Sequence, residues 1–100
     1  MKNPIEKLDK AFNNKIRLGI MSALLVNDFL DFKALKKLLD VTDGNLASHA
    51  AALEKINYIQ VEKSFIGKKP NTKYIITSSG KKAFSEHLDG LAEILKSTNM

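Results

Sequence analysis

Residues 42–77 read TDGNLASHAAALEKINYIQVEKSFIGKKPNTKYIIT, and this stretch decides the fold. Thr42 has the chemistry of a helix N-cap, because its hydroxyl can accept from the first free backbone N–H groups. Leu46, Ala50, Leu53 and Ile56 then recur at helical spacing and form one inner face. Asn45, Ser48, His49 and Ala52 fall toward the outer side of the same helix. The helix is predicted to end at Lys55 or Ile56, with Asn57 as its C-terminal cap, since asparagine tolerates the left-handed conformation. Residues 58–66 and 73–77 are rich in β-branched and aromatic side chains and are predicted as two strands. Gly67, Lys68, Lys69, Pro70 and Asn71 form the tip between them, where Gly67 permits the turn and Pro70 stiffens it.

Charge is concentrated in the same region. The segment from Lys63 to Lys82 contains six lysines and no acid, whereas the whole chain carries +5. The remainder therefore sums to −1, and the positive charge belongs to the hairpin and the residues just after it. A helix leading into a basic hairpin suits a polyanionic partner.

Outward from this stretch, more helices are expected. Asn3-Pro4-Ile5-Glu6 resembles a helix start, with Asn3 as cap and Pro4 at the first helical position. Ile5, Leu8 and Phe12 share a face of that helix, and Asn13-Asn14 interrupts it. The apolar pattern resumes with Ile16, Ile20, Met21, Leu24 and Leu25 and stops at Asn27-Asp28. Asp31 is predicted to cap a short helix with Leu35, Leu38 and Leu39 as its buried stripe and Lys33, Lys36 and Lys37 outside. The tight Asp40-Val41 connection to Thr42 makes this pair a helix-turn-helix. Thr77 or Ser78 opens a last helix, in which Phe84, Leu88, Leu91 and Leu95 are spaced by four, three and four, a heptad-type seam. His87 flanks it as a packing residue. The predicted fold is mainly α with a small β-hairpin: one domain over residues 1–100, with helices at 1–14 and 78–97 serving dimerisation.

Several functions are disfavoured. The chain has 100 residues, no cysteine and two distant histidines, so thiolate chemistry is excluded and neither a metal site nor a cofactor is expected. No nucleophile elbow, phosphate-binding loop, HExxH or GxGxxG occurs. Ser48 and His49 cannot form a dyad, because helical neighbours point about 100° apart. No catalytic residue is expected. No apolar run approaches the roughly 20 residues of a membrane span. The opening MKNPIEKLDK lacks a secretory core, and a cytoplasmic location is expected.

In Thr42-Asp43-Gly44-Asn45-Leu46, Ser48-His49, Leu53-Glu54, Tyr58-Ile59, Lys68-Lys69-Pro70-Asn71-Thr72-Lys73-Tyr74, Ile76-Thr77 and Gly80, the chain resembles the winged-helix transcriptional regulators related to the MarR and ArsR families. The resemblance covers roughly residues 12 to 95. It departs at Ala50, where such helices usually carry Leu, at Ala51 and Ala52, where basic residues are common, and at Asn57, usually Gly. The resemblance implies a homodimer on double-stranded DNA, with the helix after Thr42 in the major groove and the wing on the backbone or minor groove. On this reading Asn45, Ser48 and His49 reach bases or phosphates, while Lys68, Lys69 and Lys73 are the wing contacts. Ile5, Leu8, Phe12, Phe84, Leu88, Leu91 and Leu95 form the dimer interface. A small-molecule effector is unknown. The alternative is a winged helix used for protein–protein assembly without DNA, a reading that the alanine-rich helix keeps open.

Overall fold

A computed structural model describes residues 3–98; the first two residues of the helix predicted over 1–14 lie outside the described residues. The helices are α1 (Lys15–Leu25), α2 (Phe32–Leu39), α3 (Asp43–Lys55) and α4 (Ser78–Thr98), and the strands are β1 (Leu30–Asp31), β2 (Ile59–Ile66) and β3 (Lys69–Ile76). The strands form one antiparallel sheet in the order β1-β3-β2. This is the expected helical fold with a wing, enlarged by one short strand.

Local chemistry sets most boundaries. Asn14 Oδ1 accepts from the N–H groups of Ile16 and Arg17 and starts α1. Asp31 caps α2 through the N–H of Ala34, and Thr42 caps α3 through that of Asn45. Asp40 and Asn57 take left-handed conformations, with φ 52° and 64°, where α2 and α3 end. Thr77 Oγ1 accepts from the N–H of Gly80 at 2.9 Å, which caps α4. Each bond satisfies a donor that a helix end leaves free.

The core is built from the apolar faces these helices turn inward. Ile20, Met21 and Leu24 of α1, Leu35 of α2, and Leu46, Ala50 and Leu53 of α3 are buried together with Ile59 and Tyr74 of the sheet. Phe12 and Phe84 close one end, with ring centroids 5.2 Å apart in an edge-to-face arrangement that suits the quadrupoles of two aromatic rings.

Four points of the sequence reading need correction. The helix predicted over the first residues is two short 3-10 turns, Pro4–Lys7 and Lys10–Phe12. Leu8 is extended between them, and Asp9 begins a new turn by accepting from the N–H of Ala11. That side-chain bond, together with one from the Asp9 N–H to His87 Nδ1, outcompetes continued helix. β1 carried no periodic signal because it is two residues long. α1, by contrast, ends as expected, with Val26 as its C-cap just before Asn27-Asp28, and Asn27 Nδ2 donates back to the Ala23 carbonyl. Leu38 and Ile56, assigned to buried stripes, are 62% and 45% exposed; each lies at the last turn or just past the end of its helix, off the face that meets the core.

The fourth correction concerns the wing. β3 begins at Lys69, not Lys73, and Ile66 pairs with Lys69. Gly67 and Lys68 alone make the turn, with Gly67 at φ 65°. A positive φ at the first central residue followed by an ordinary one is the sign pattern of a II′ hairpin, whose twist matches its strands. Pro70 is accommodated because β1 pairs β3 only at Lys73 and Tyr74, leaving that edge open at Pro70.

Candidate nucleic-acid interface

α2 and α3 form a helix-turn-helix joined by Asp40, Val41 and Thr42. Lys36 Nζ lies 2.7 Å from Asp43 Oδ1 across the turn, an exposed pair of small energetic weight. The inner face of α3 is anchored by Leu46, Ala50 and Leu53. At 100° per residue this turns Gly44, Ser48, Ala51 and Lys55 outward, and all four are exposed. One flank looks toward the wing, where Ala47, Ala51 and Glu54 share a shallow cleft with Val61, Lys63 and Thr72. The other looks toward α1.

The three residues expected to read DNA therefore divide. Ser48 is exposed on the outward face, and Asn45 is exposed on the α1 flank beside Lys15 and Ile16. His49 is half-buried, and its Nδ1 accepts a hydrogen bond from Arg17 Nε at 3.1 Å. Arg17 was not among the expected residues. No pattern in the sequence ties it to a partner 32 residues away; only the packing of α1 against α3 brings them together.

The basic segment also divides. Lys63, Lys68 and Lys69 are exposed along the wing and its tip. Lys73 sits at the wing's base opposite Glu62 and Asp31, with Nζ 4.4 Å above the Phe29 ring. Its ammonium is engaged by an aromatic face, which distinguishes it from the two tip lysines. Lys81 and Lys82 belong to the first turns of α4 and lie apart from the tip. Two apolar residues unremarked in the sequence, Phe65 and Ile66, flank the turn and are 73% and 66% exposed.

The terminal segments pack on each other within one chain. The space beside Gly90 is filled by the Pro4 carbonyl, Lys7 and Leu8, and Lys7 Nζ pairs with Glu93 at 2.5 Å. Of the seven residues expected at a dimer interface, Phe12 and Phe84 are buried in their own core, so they support the seam from beneath and present no surface to a partner. Leu8 is half-buried. Ile5, Leu88, Leu91 and Leu95 remain exposed. His87 is buried against Phe12 and Phe84. Nearby, the Tyr58 hydroxyl donates to Asp9 Oδ2 at 2.5 Å; this bond, with burial second, pushes its pKa up to about 12. Burial, and then Glu54, also pushes Tyr74 up.

Among the described residues, no group of three or more His, Asp or Glu is placed to hold a metal ion, and no helix is long and apolar enough to cross a membrane.

Comparison with known proteins agrees with this geometry. The model of the winged helix DNA-binding domain family matches residues 16–95. An uncharacterised protein of Methanocaldococcus jannaschii is 32% identical over 87 residues, which span 87% of this chain and 95% of that protein. The structure of a transcriptional regulator homologue from Pyrococcus horikoshii superposes with a TM-score of 0.84 at 32% identity, covering 92% of this chain and 91% of that one. A MarR family regulator from Streptomyces coelicolor, solved in complex with DNA, shares the fold at 20% identity, with a TM-score of 0.67 over 88% of this chain and 62% of its own. The chain belongs to the winged helix DNA-binding domain family, a family of binding proteins and not of enzymes.

Proposed function

We propose that this winged helix is a dimeric transcriptional regulator that binds double-stranded DNA with sequence preference. α3 enters the major groove, and the wing lies on the adjacent backbone or minor groove. The observation that carries this reading is the pairing of two features on one domain. α3 exposes Ser48 and Asn45 behind a helix-turn-helix, and the wing beside it carries Lys63, Lys68 and Lys69 with no acid on its tip. The small Ala47 and Ala51 are exposed on α3; alanine lets a helix approach the groove closely and contacts the thymine methyl. The lysines supply affinity without sequence information.

Dimerisation is supported by Ile5, Leu88 and Leu91, which leave apolar surface on the packed terminal segments of a kind that two-fold pairing buries on both copies at once. The competing reading, a protein–protein assembly module, is favoured by the exposed Phe65 and Ile66 at the wing tip. A salt titration of binding to duplex DNA separates the two. DNA binding gives a steep fall of log affinity with log salt as counterions are released. Absence of binding to any duplex at low salt excludes the DNA reading.

A further inference from the structure

Arg17 and His49 meet where α1 passes the flank of α3. Arg17 Nε donates to His49 Nδ1 at 3.1 Å, and both residues are anchored. Arg17 stands in the first turn of α1, where its backbone N–H donates to Asn14 Oδ1. His49 precedes the buried Ala50 in the middle of α3. A guanidinium has no acceptor and keeps its protons, so the direction of this bond is fixed: His49 Nδ1 accepts and carries no hydrogen. The proton of the neutral imidazole then belongs on Nε2, the ring nitrogen farther from the helix backbone.

We infer that Arg17 is a positioning residue that fixes the tautomer of His49, so that the ring meets a base edge as a hydrogen-bond donor at Nε2 and not as an acceptor. The inference rests on the reading of α3 as the helix that enters the major groove. An unrestrained histidine offers either tautomer and so discriminates weakly. Held by Arg17, it offers a donor only. That donor matches N7 or O6 of guanine, N7 of adenine or O4 of thymine, and it is mismatched to the exocyclic amine of cytosine. The partner is therefore a single accepting base edge under the α1 flank of α3, and the excluded base there is cytosine.

Two measurements test this. Long-range proton–nitrogen correlation spectra of the free wild-type protein read the ring directly; His49 shows the Nε2–H tautomer, and Arg17→Met, which keeps the aliphatic stem, shows a mixture. Binding-site selection from random duplexes reads the consequence. The wild type disfavours cytosine at one position of each half-site. Arg17→Met relaxes that position by on the order of fivefold, the worth of one ordinary hydrogen bond, and leaves the other positions unchanged. His49→Ala relaxes the same position, and adding Arg17→Met to it changes nothing further.

An Nδ1–H tautomer in the wild type overturns the inference. So does an Arg17→Met variant that weakens every duplex equally with a flatter salt slope, because Arg17 would then be a phosphate contact itself. A wild type that binds and selects sequence while Arg17→Met selects identically sinks this role alone. A wild type that selects no sequence overturns the DNA reading, and this role with it, whatever tautomer the spectrum shows.

Discussion

Tyr58 and Asp9 stand 49 positions apart, yet the Tyr58 hydroxyl donates to Asp9 Oδ2 at 2.5 Å. The backbone N–H of the same Asp9 donates to His87 Nδ1 at 3.0 Å, and its Oδ1 caps the next turn through Ala11. One short carboxylate residue thus ties the N-terminal segment to the start of the wing and to the long last helix. The bond is made with the neutral phenol, and this makes its strength depend on pH.

Tyr58 retains its proton longer in the folded chain, with a pKa of about 12 against the ordinary 10. The stabilisation is therefore fully present below about pH 10 and is lost as pH rises through about 12. Ultraviolet titration of the native protein should show phenolate forming at higher pH than in the unfolded chain. Tyr58→Phe should remove the component near pH 12 and cost about 1–2 kcal/mol at neutral pH, the worth of a hydrogen bond to a charged group discounted for its partial exposure. If Tyr58→Phe instead removes a component near the ordinary pH 10, the bond to Asp9 does not form.

Gly80 is required by close approach. A Cβ there would lie 2.0 Å from the Tyr58 carbonyl oxygen, and that oxygen also accepts from the N–H of Thr77 at 3.1 Å. Backbone on both sides leaves little room to yield. Gly80→Ala should destabilise by about 1–3 kcal/mol or more, lowering Tm by roughly 4–8 °C per kcal/mol in a chain of this size. Thermal unfolding measures it, and a Tm within error of the wild type would contradict the packing of α4 on the wing's root.

Lys68 and Lys69 are expected to act as phosphate contacts. Replacing both by alanine should weaken binding to every duplex and flatten the slope of log affinity against log salt by about one unit per contact removed. Lys73→Ala should change that slope less, because its ammonium lies over Phe29. Equal slopes for the tip variant and the wild type would leave the wing as a merely solvated hairpin.

Leu88 and Leu91 are each 41% exposed, so charged replacements should be tolerated by the isolated fold. Leu88→Glu with Leu91→Glu should place four charges in a two-fold seam and give a folded monomer. Sedimentation of the wild type at micromolar concentration is the direct comparison. A dimer also sets the two α3 helices about 34–36 Å apart if they enter successive major grooves. A wild-type monomer at that concentration would remove the dimer and, with it, the two-fold spacing of α3 on DNA.

The sequence by itself determined the features that depend on near neighbours in the chain. Asp31, Thr42 and Thr77 cap helices because a short polar side chain reaches the N–H groups three residues on. Asn57 ends α3 because it tolerates positive φ, and the spacing of Leu46, Ala50 and Leu53 sets the helix's inner face. Those local rules suffice for the helix-turn-helix and the wing, and hence for the class of partner. Only the tertiary structure decided which residues remain free to act. The six lysines of one segment became three exposed residues along the wing and its tip, a cation held over Phe29 and two residues of α4. Phe12 and Phe84, a seam by spacing, became core because each other's ring and His87 lie against them. His49 acquired Arg17. Each of these outcomes is a contact between residues distant in the chain, and periodicity carries no information about which distant side chain will arrive.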